Sequence, residues 1–187
     1  MVTVLTKEMM DHFKDRTEKH IELVKKWYGR LIREYYSIPL IEIHAHDASK
    51  FTAPEYIPYI SLTWNYYCKD HQIRFDILDE LQESMNEATL HHIRNNPHHP
   101  EFWDDNFDYS MFNSKDRDEV GKSMVNATSM PLSFILEMLA DWFAMSEEKG
   151  TDPMDWAEKN VNVRWRFTPE QINLIESGIV FYGEQKE

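Results

Sequence analysis

The chain has 187 residues, of which 42% are hydrophobic, and a formal net charge of -13 at neutral pH. The apolar content excludes an intrinsically disordered chain, and the length suffices for one well-covered core, so we predict a single domain over residues 1–187. The negative charge disfavours binding to duplex nucleic acid or to an anionic membrane, and it favours a small-molecule partner.

Helical periodicity begins near the N-terminus. Apolar residues recur at helical spacing from Thr6 to about Tyr35, which predicts one long first helix. Ser37 could cap a second helix that reaches about Ala48. The sequence TAPE at 52–55 has the spacing of a capping box and opens a third segment, whose alternating apolar residues would also suit a strand.

A fourth helix and a long loop follow. Asp76 is the predicted cap of the helix, which ends before Pro97 because the residue that precedes a proline disfavours helical backbone angles. Residues 97–130 are mostly polar and rich in turn-forming residues, which predicts a loop with one short helix near 115–124. Loops of this length inside a domain are often functional.

Three further helices are predicted in the C-terminal part of the chain. One follows Pro131 and ends at Gly150, a second begins at Asp152 and Pro153, and a third begins at TPEQ, residues 168–171. We therefore predict an all-α domain with a bundle of about six to seven helices.

Ionisable side chains recur on the apolar faces of these predicted helices. The first helix carries His20 among apolar neighbours, and a buried imidazole needs a polar partner. The second carries His46 and Asp47 as a contiguous pair, with Lys50 on roughly the same face. His92 lies on the apolar row of the fourth helix.

Two more sets extend this pattern. His98 and His99 follow the fourth helix, and Glu137 and Asp141 lie one turn apart on the strongly hydrophobic fifth helix. Imidazole and carboxylate are common ligands of Zn, Mn and Fe, and packed helices can assemble such ligands around an ion. The sequence therefore predicts a metal site in the interior of the bundle.

Each residue taken singly has a simpler interpretation. His20 could be a core histidine hydrogen-bonded to a carboxylate, and the pair of His46 and Asp47 could cap the C-terminus of a helix. His98 and His99 could belong to a surface loop. These simpler interpretations must hold independently on four helices, which favours the metal site.

The chain order of these groups resembles that of the HD-domain superfamily of metal-dependent phosphohydrolases. The motifs are HDASKF at 46–51, HH at 91–92, NPHHPE at 96–101 and EMLADWFAM at 137–145. Over roughly residues 17–160, the pattern looks like a small family of uncharacterised proteins frequent in phage and bacterial genomes. In the superfamily, a histidine, a His-Asp pair and a distant aspartate bind one divalent metal, and intervening histidines bind a second or serve the chemistry.

The resemblance implies one or two divalent ions, with Mn, Fe, Zn, Co and Mg not distinguished. The implied ligands of the first ion are His20, His46, Asp47 and Asp141. The implied ligands of a second ion are drawn from His92, His98 and His99. His92 or His99 would alternatively serve as a general acid.

One position departs from the superfamily pattern. Its nucleotidase branch commonly has an acidic residue three positions after the dyad aspartate, which positions water, whereas this chain has Lys50. Either Glu55 or Glu137 takes that role, or Lys50 binds a substrate anion. Lys50 could also pair with Asp47 or Glu55, and Glu137 could orient a ligating imidazole. His91 is predicted to face solvent.

Three functions remain open from the sequence. We favour a metal-dependent hydrolase of a small phosphorylated substrate such as a nucleotide, with Lys50 and Arg94 holding phosphate oxygens and His92 or His99 protonating the leaving oxygen. The first alternative is a di-iron oxygenase, as in the oxygenase branch of the same superfamily. The second is a non-enzymatic binding or inhibitory protein in which the metal is structural or absent, and the acidic charge agrees with it.

The cysteine content and the hydropathy pattern bear on the compartment. Cys68 is the single cysteine, and no run of 18 apolar residues and no signal segment occurs in the sequence. We therefore predict a cytoplasmic protein.

Overall fold

The computed structural model describes residues 5–43, 45–106 and 124–185. Within these ranges the fold is all-α, as predicted, with six helices: α1 Lys7–Glu34, α2 Tyr56–Asp70, α3 Asp79–Asn95, α4 Leu132–Lys149, α5 Pro153–Asn160 and α6 Pro169–Glu184. Two short 3-10 turns lie at Ala48–Phe51 and Pro100–Trp103. None of the helices in the described ranges is long and apolar enough to cross a membrane.

The long helix α1 confirms the periodicity of its sequence. The Thr6 side chain caps its first turn by accepting a hydrogen bond from the Met9 amide at 3.2 Å. Its buried face carries Phe13, His20 and Val24 in succession. Phe13 belongs to a small apolar cluster shared with α2, whereas Val24 belongs to the main core. His20 is therefore an imidazole between two apolar clusters.

The main core forms where α1, α4 and α6 pack together. Phe143 of α4 is fully buried, and its ring centroid lies 5.7 Å from that of Trp27 and 4.6 Å from that of Tyr182. The Trp27 indole donates a hydrogen bond to Glu147 at 2.8 Å, which satisfies its polar group at the edge of this core. Gly150 ends α4 in the left-handed conformation with a φ of 65°, as predicted.

The predicted second helix is wrong. Residues 38–43 have no regular secondary structure, and His46 and Asp47 lie in a turn before the 3-10 segment Ala48–Phe51. The Tyr28 hydroxyl binds both the amide and the carbonyl of Ile41 at 3.2 Å, so these backbone groups are hydrogen-bonded without a helix. A φ of 58° at Asp47 is also incompatible with a continuous helix.

The third predicted segment is a helix, α2, and not a strand. The expected capping box at 52–55 does not form, because the Thr52 hydroxyl donates to the Ser49 carbonyl at 3.0 Å. Similarly, Asp76 does not cap α3; its carboxylate accepts a hydrogen bond from Arg74 at 2.9 Å, and the helix begins at Asp79. At both positions the side chain that the sequence indicated as a cap binds another nearby group.

The predicted loop at 97–130 is only partly described. The short helix predicted near 115–124 lies almost entirely outside the described residues. Two-residue strands β1, Val125–Asn126, and β2, Trp165–Arg166, pair in parallel at the end of this segment. Strands this short leave no recognisable period in the sequence. The capping box at the start of α6 is confirmed, and Gln171 within it also donates to the Met130 carbonyl at 2.6 Å.

Gly178 marks the close approach of α6 to α4. A Cβ atom at this position would lie 2.8 Å from Leu139 Cδ1, and Leu139 is fully buried. We expect Gly178→Val to lower the free energy of unfolding by about 1–3 kcal/mol, because it overpacks the core. Chemical denaturation measures this change.

Gly183 of the same helix supplies the control. A Cβ atom at this position would meet no other described atom within 4 Å. Gly183→Ala should therefore leave the free energy of unfolding unchanged or raise it by up to about 1 kcal/mol, because alanine has the higher helix propensity. Wild-type stability of the Gly178→Val variant would contradict the close packing of α4 and α6.

Candidate metal centre

Asp47 lies at the centre of a buried cluster of ionisable side chains. Its Oδ2 atom faces the imidazoles of His20 and His46, at 3.8 and 3.9 Å from their Nε2 atoms. Its Oδ1 atom faces His92 and His98, at 3.1 and 3.9 Å from their Nε2 atoms. The two oxygens of one carboxylate thus face two different pairs of imidazoles.

The first set of potential ligands comprises His20, His46 and Asp141, contributed by α1, the turn and α4. One ligand atom of each lies within 4.8 Å of the others. Burial would lower the pKa of His20, but a hydrogen bond to Asp141 at 3.0 Å and the carboxylate of Glu148 at 3.6 Å outweigh it and raise the pKa to about 9. Burial likewise opposes the ionised form of Asp141, but the bond to His20 holds the pKa of this carboxyl below its usual range.

The second set comprises His92, His98 and His99, contributed by the end of α3 and the turn that follows it. One ligand atom of each again lies within 4.8 Å of the others. Burial lowers the pKa of His98 well below its usual range, and the neighbouring His99 and His46 lower it further. His98 is therefore a neutral imidazole at physiological pH, which is the form that binds a metal.

The histidines of the cluster are held from behind by carboxylates. The pairs, measured from Nδ1 to a carboxylate oxygen, are His46 and Glu137 at 3.0 Å, His92 and Glu55 at 2.9 Å, and His20 and Glu148 at 3.6 Å. Such a carboxylate orients the ring of a metal-ligating histidine and fixes its tautomer. The Nε2 atoms of His46 and His92 are thereby directed towards Asp47, whereas that of His20 lies 3.0 Å from Asp141 and 3.8 Å from Asp47.

The buried charge of this region is unbalanced. Five carboxylates, all buried or largely buried, lie beside histidines of the cluster: Asp47, Glu55, Glu137, Asp141 and Glu148. Among the described residues, the cationic side chains that contact them are Lys50, on Asp47, Arg16, 3.7 Å from Glu148, and His20, whose pKa is raised to about 9. Burial would raise the pKa of Asp47, but Lys50 and then His46 outweigh it and hold the pKa well below the usual range. A buried group of ionised carboxylates requires compensating positive charge.

Three atoms at the centre lack hydrogen-bond partners among the described residues. These are His46 Nε2, and also His92 Nε2 and Asp47 Oδ1, which lie 3.1 Å apart without the geometry of a hydrogen bond; all three are buried. Buried polar atoms without a partner are uncommon in native proteins, and an ion is one explanation for them. The donor set, the orphaned atoms and the excess of carboxylates all fit a divalent cation.

The structure brings together the side chains that the sequence singled out. Those that meet at Asp47 or at its immediate neighbours are His20, His46, Lys50, His92, His98, His99, Glu137 and Asp141. Lys50 pairs with Asp47 rather than with Glu55. Arg94, the second predicted phosphate-binding residue, is exposed on α3.

Two features of the cluster escaped the sequence patterns. Glu148 follows Asp141 by seven residues and so lies on the same face of α4, a spacing that could have identified it. His91 was expected to face solvent, and its side chain is only 39% exposed, with Nδ1 2.8 Å from Glu55. No local spacing connects Glu55 with His91, because the pair joins different segments of the chain.

The fold and the cluster together define an all-α protein whose buried histidines and carboxylates could hold a metal ion. The chain belongs to the family of unknown function DUF5662, whose family model matches residues 9–179. This span includes every residue of the cluster. No curated protein and no solved structure matches the chain.

Proposed function

We propose that the protein is a metal-dependent hydrolase of a small phosphorylated substrate, a nucleotide or a similar phosphate ester. The observation that carries this proposal is the position of Asp47, with one oxygen towards each set of imidazoles. Paired metal positions are common in enzymes that cleave phosphate esters. The order of the ligands along the chain, which resembles that of the HD-domain superfamily, supports the same function.

The two sets of side chains have separate roles in this proposal. One ion would be held by His20, His46, Asp47 and Asp141, and a second by Asp47, His92 and His98. When bound, a divalent ion supplies Lewis acidity to the phosphoryl group and lowers the pKa of water.

Lys50 is the side chain best placed to hold an oxygen of the substrate phosphate. Its ammonium contacts Asp47 Oδ2 at 2.5 Å and lies 5.3 Å from the centre of the Tyr59 ring. Its side chain is 19% exposed, so the charge extends from the centre towards the surface. A lysine ammonium in this position can bind a phosphate oxygen as a point charge.

Of the two histidines considered as the general acid, the geometry favours His99. The ring of His92 is directed at carboxylates on both sides, with Nδ1 on Glu55 and Nε2 towards Asp47, which suits a ligand. His99 is less buried, and its ring centroid lies 4.3 Å from that of His98. Its position at the edge of the cluster suits proton transfer to a leaving oxygen.

A substrate screen tests the hydrolase directly. Protein loaded separately with Mn, Fe, Zn, Co or Mg is incubated with nucleotides and phosphorylated metabolites, and released phosphate is measured. We expect release with at least one metal, its loss in chelator, and its return when the metal is restored. Protein that binds metal at the cluster and releases phosphate from none of these substrates would contradict the proposal.

A di-iron oxygenase is the second candidate, and the same position of Asp47 favours it. Nitrogen and oxygen donors without a thiolate also suit iron. Two iron ions per chain with an oxygen-dependent visible spectrum, and no phosphate release, would favour the oxygenase. Protein that purifies without metal and keeps its melting temperature in chelator would favour the binding or inhibitory protein instead.

A further inference from the structure

Glu55 is a fully buried carboxylate immediately before the first residue of α2. Although it occupies the N-cap position, its side chain makes no capping hydrogen bond. It points instead towards α3, where Oε2 lies 2.9 Å from His92 Nδ1 and Oε1 lies 2.8 Å from His91 Nδ1. The Ser49 hydroxyl also donates to Oε2 at 2.9 Å. The Glu55 side chain therefore does not stabilise the start of α2 by capping it.

The position of Glu55 relative to His92 excludes one role considered from the sequence. The two nitrogens of an imidazole lie on opposite sides of its ring; in His92, Nδ1 contacts Glu55 and Nε2 faces Asp47 Oδ1 at 3.1 Å. Glu55 thus lies behind His92 as seen from Asp47. From there it does not reach the space between Asp47 and the imidazoles, so it is not placed to position water.

We infer that Glu55 is a positioning residue, which holds His92 with its proton on Nδ1 and its Nε2 lone pair directed at the metal centre. An ionised carboxylate only accepts hydrogen bonds, so when Nε2 binds a metal ion the proton of His92 stays on Nδ1, facing Glu55. The Asn96 amide nitrogen also lies 3.0 Å from this Nδ1, but it donates to the His92 carbonyl and to the Ser49 hydroxyl. Nε2 is then suited to bind a metal in two respects: it carries no proton, and it points towards Asp47. This inference rests on the proposed metal centre but not on the reaction that the centre performs.

His91 provides a matched control for this role. It contacts the other oxygen of the same carboxylate, on the same helix, but its half-exposed ring has no contact with Asp47. If Glu55 only tied α2 to α3, loss of either histidine contact would reduce stability and leave metal binding unchanged. If Glu55 positions His92, only changes that reach His92 alter metal affinity.

The experiment compares Glu55→Gln and His91→Gln with the wild-type protein by titration with Mn²⁺ in a calorimeter. We expect Glu55→Gln to weaken one of two bound ions by about 10–100-fold, as loss of an outer carboxylate typically does, and to leave the other unchanged. His91→Gln should bind both ions as the wild type does. Equal affinities in the wild type and Glu55→Gln, or equal losses in the two variants, would overturn the inference.

A second measurement needs no variant. The ring nitrogen chemical shifts of His92 in wild-type protein loaded with diamagnetic Zn²⁺ report which nitrogen carries the proton, and we expect Nδ1. A proton on Nε2 would overturn the inference even if Glu55→Gln failed to fold. Wild-type protein that binds no Mn²⁺ at all would refute the metal centre itself, whereas metal binding without hydrolysis would affect only the proposed reaction.

Discussion

Replacement of Asp47 by asparagine should abolish metal binding at both proposed positions. Each oxygen of this carboxylate faces one pair of imidazoles, so its charge serves both proposed positions. An amide retains one weak acceptor and lacks the negative charge. We expect metal affinity to fall by more than the ~100-fold that marks the upper range for loss of an outer-shell partner. Elemental analysis after dialysis measures the metal that remains.

Two variants serve as controls for this result. Asp141→Asn removes a potential ligand of the first set only, so it should release one ion and retain the other. Asp76→Asn removes an exposed carboxylate that pairs with Arg74 and should retain both. Asp47→Asn protein that is folded and carries the wild-type amount of metal would contradict the central position of Asp47.

Replacement of Phe143 by alanine should lower the free energy of unfolding by about 3–5 kcal/mol. The ring is fully buried between Trp27 of α1 and Tyr182 of α6, so its loss leaves a cavity where three helices meet. Chemical denaturation in the presence of chelator measures the change without a contribution from bound metal.

The control for this core variant is Val180→Ala, on the exposed face of α6. Val180 is 59% exposed, and a surface substitution of this kind usually changes the free energy of unfolding by less than about 0.5 kcal/mol. If Phe143→Ala lowers the free energy of unfolding by less than about 1 kcal/mol, the packing of α1, α4 and α6 is contradicted, because removal of a fully buried ring leaves a cavity that costs more than this.

The helices that could be predicted are those whose signals are local. α1, α4 and α6 have periodic apolar faces, and the Thr168 capping box and Gly150 lie at the ends that the sequence indicates. The segment before Asp47 carries helix signals of the same kind, yet it is not helical. Its conformation depends on the Tyr28 hydroxyl, which binds the backbone of Ile41. A contact between distant residues cannot be read from local spacing.

In the candidate centre, too, local features could be predicted and contacts between distant residues could not. The histidines and acids could be chosen because each is a ligand type beside apolar neighbours, and Glu137 could be interpreted as an acceptor that orients an imidazole. Its distance of 3.0 Å from His46 Nδ1 agrees with that interpretation. The arrangement of the imidazoles around the two oxygens of Asp47 could not be predicted from the sequence, because it depends on the left-handed backbone conformation of Asp47 in a turn.

The most direct test of the metal centre is a crystal structure of the protein grown with Mn²⁺, with anomalous scattering used to locate the ions. We expect anomalous density beside Asp47, with one ion bound by Oδ2 among His20, His46 and Asp141, and a second by Oδ1 among the imidazoles of the other set. Well-ordered Asp47, His20 and His46 side chains at saturating Mn²⁺ with no anomalous density between them would contradict the proposed centre.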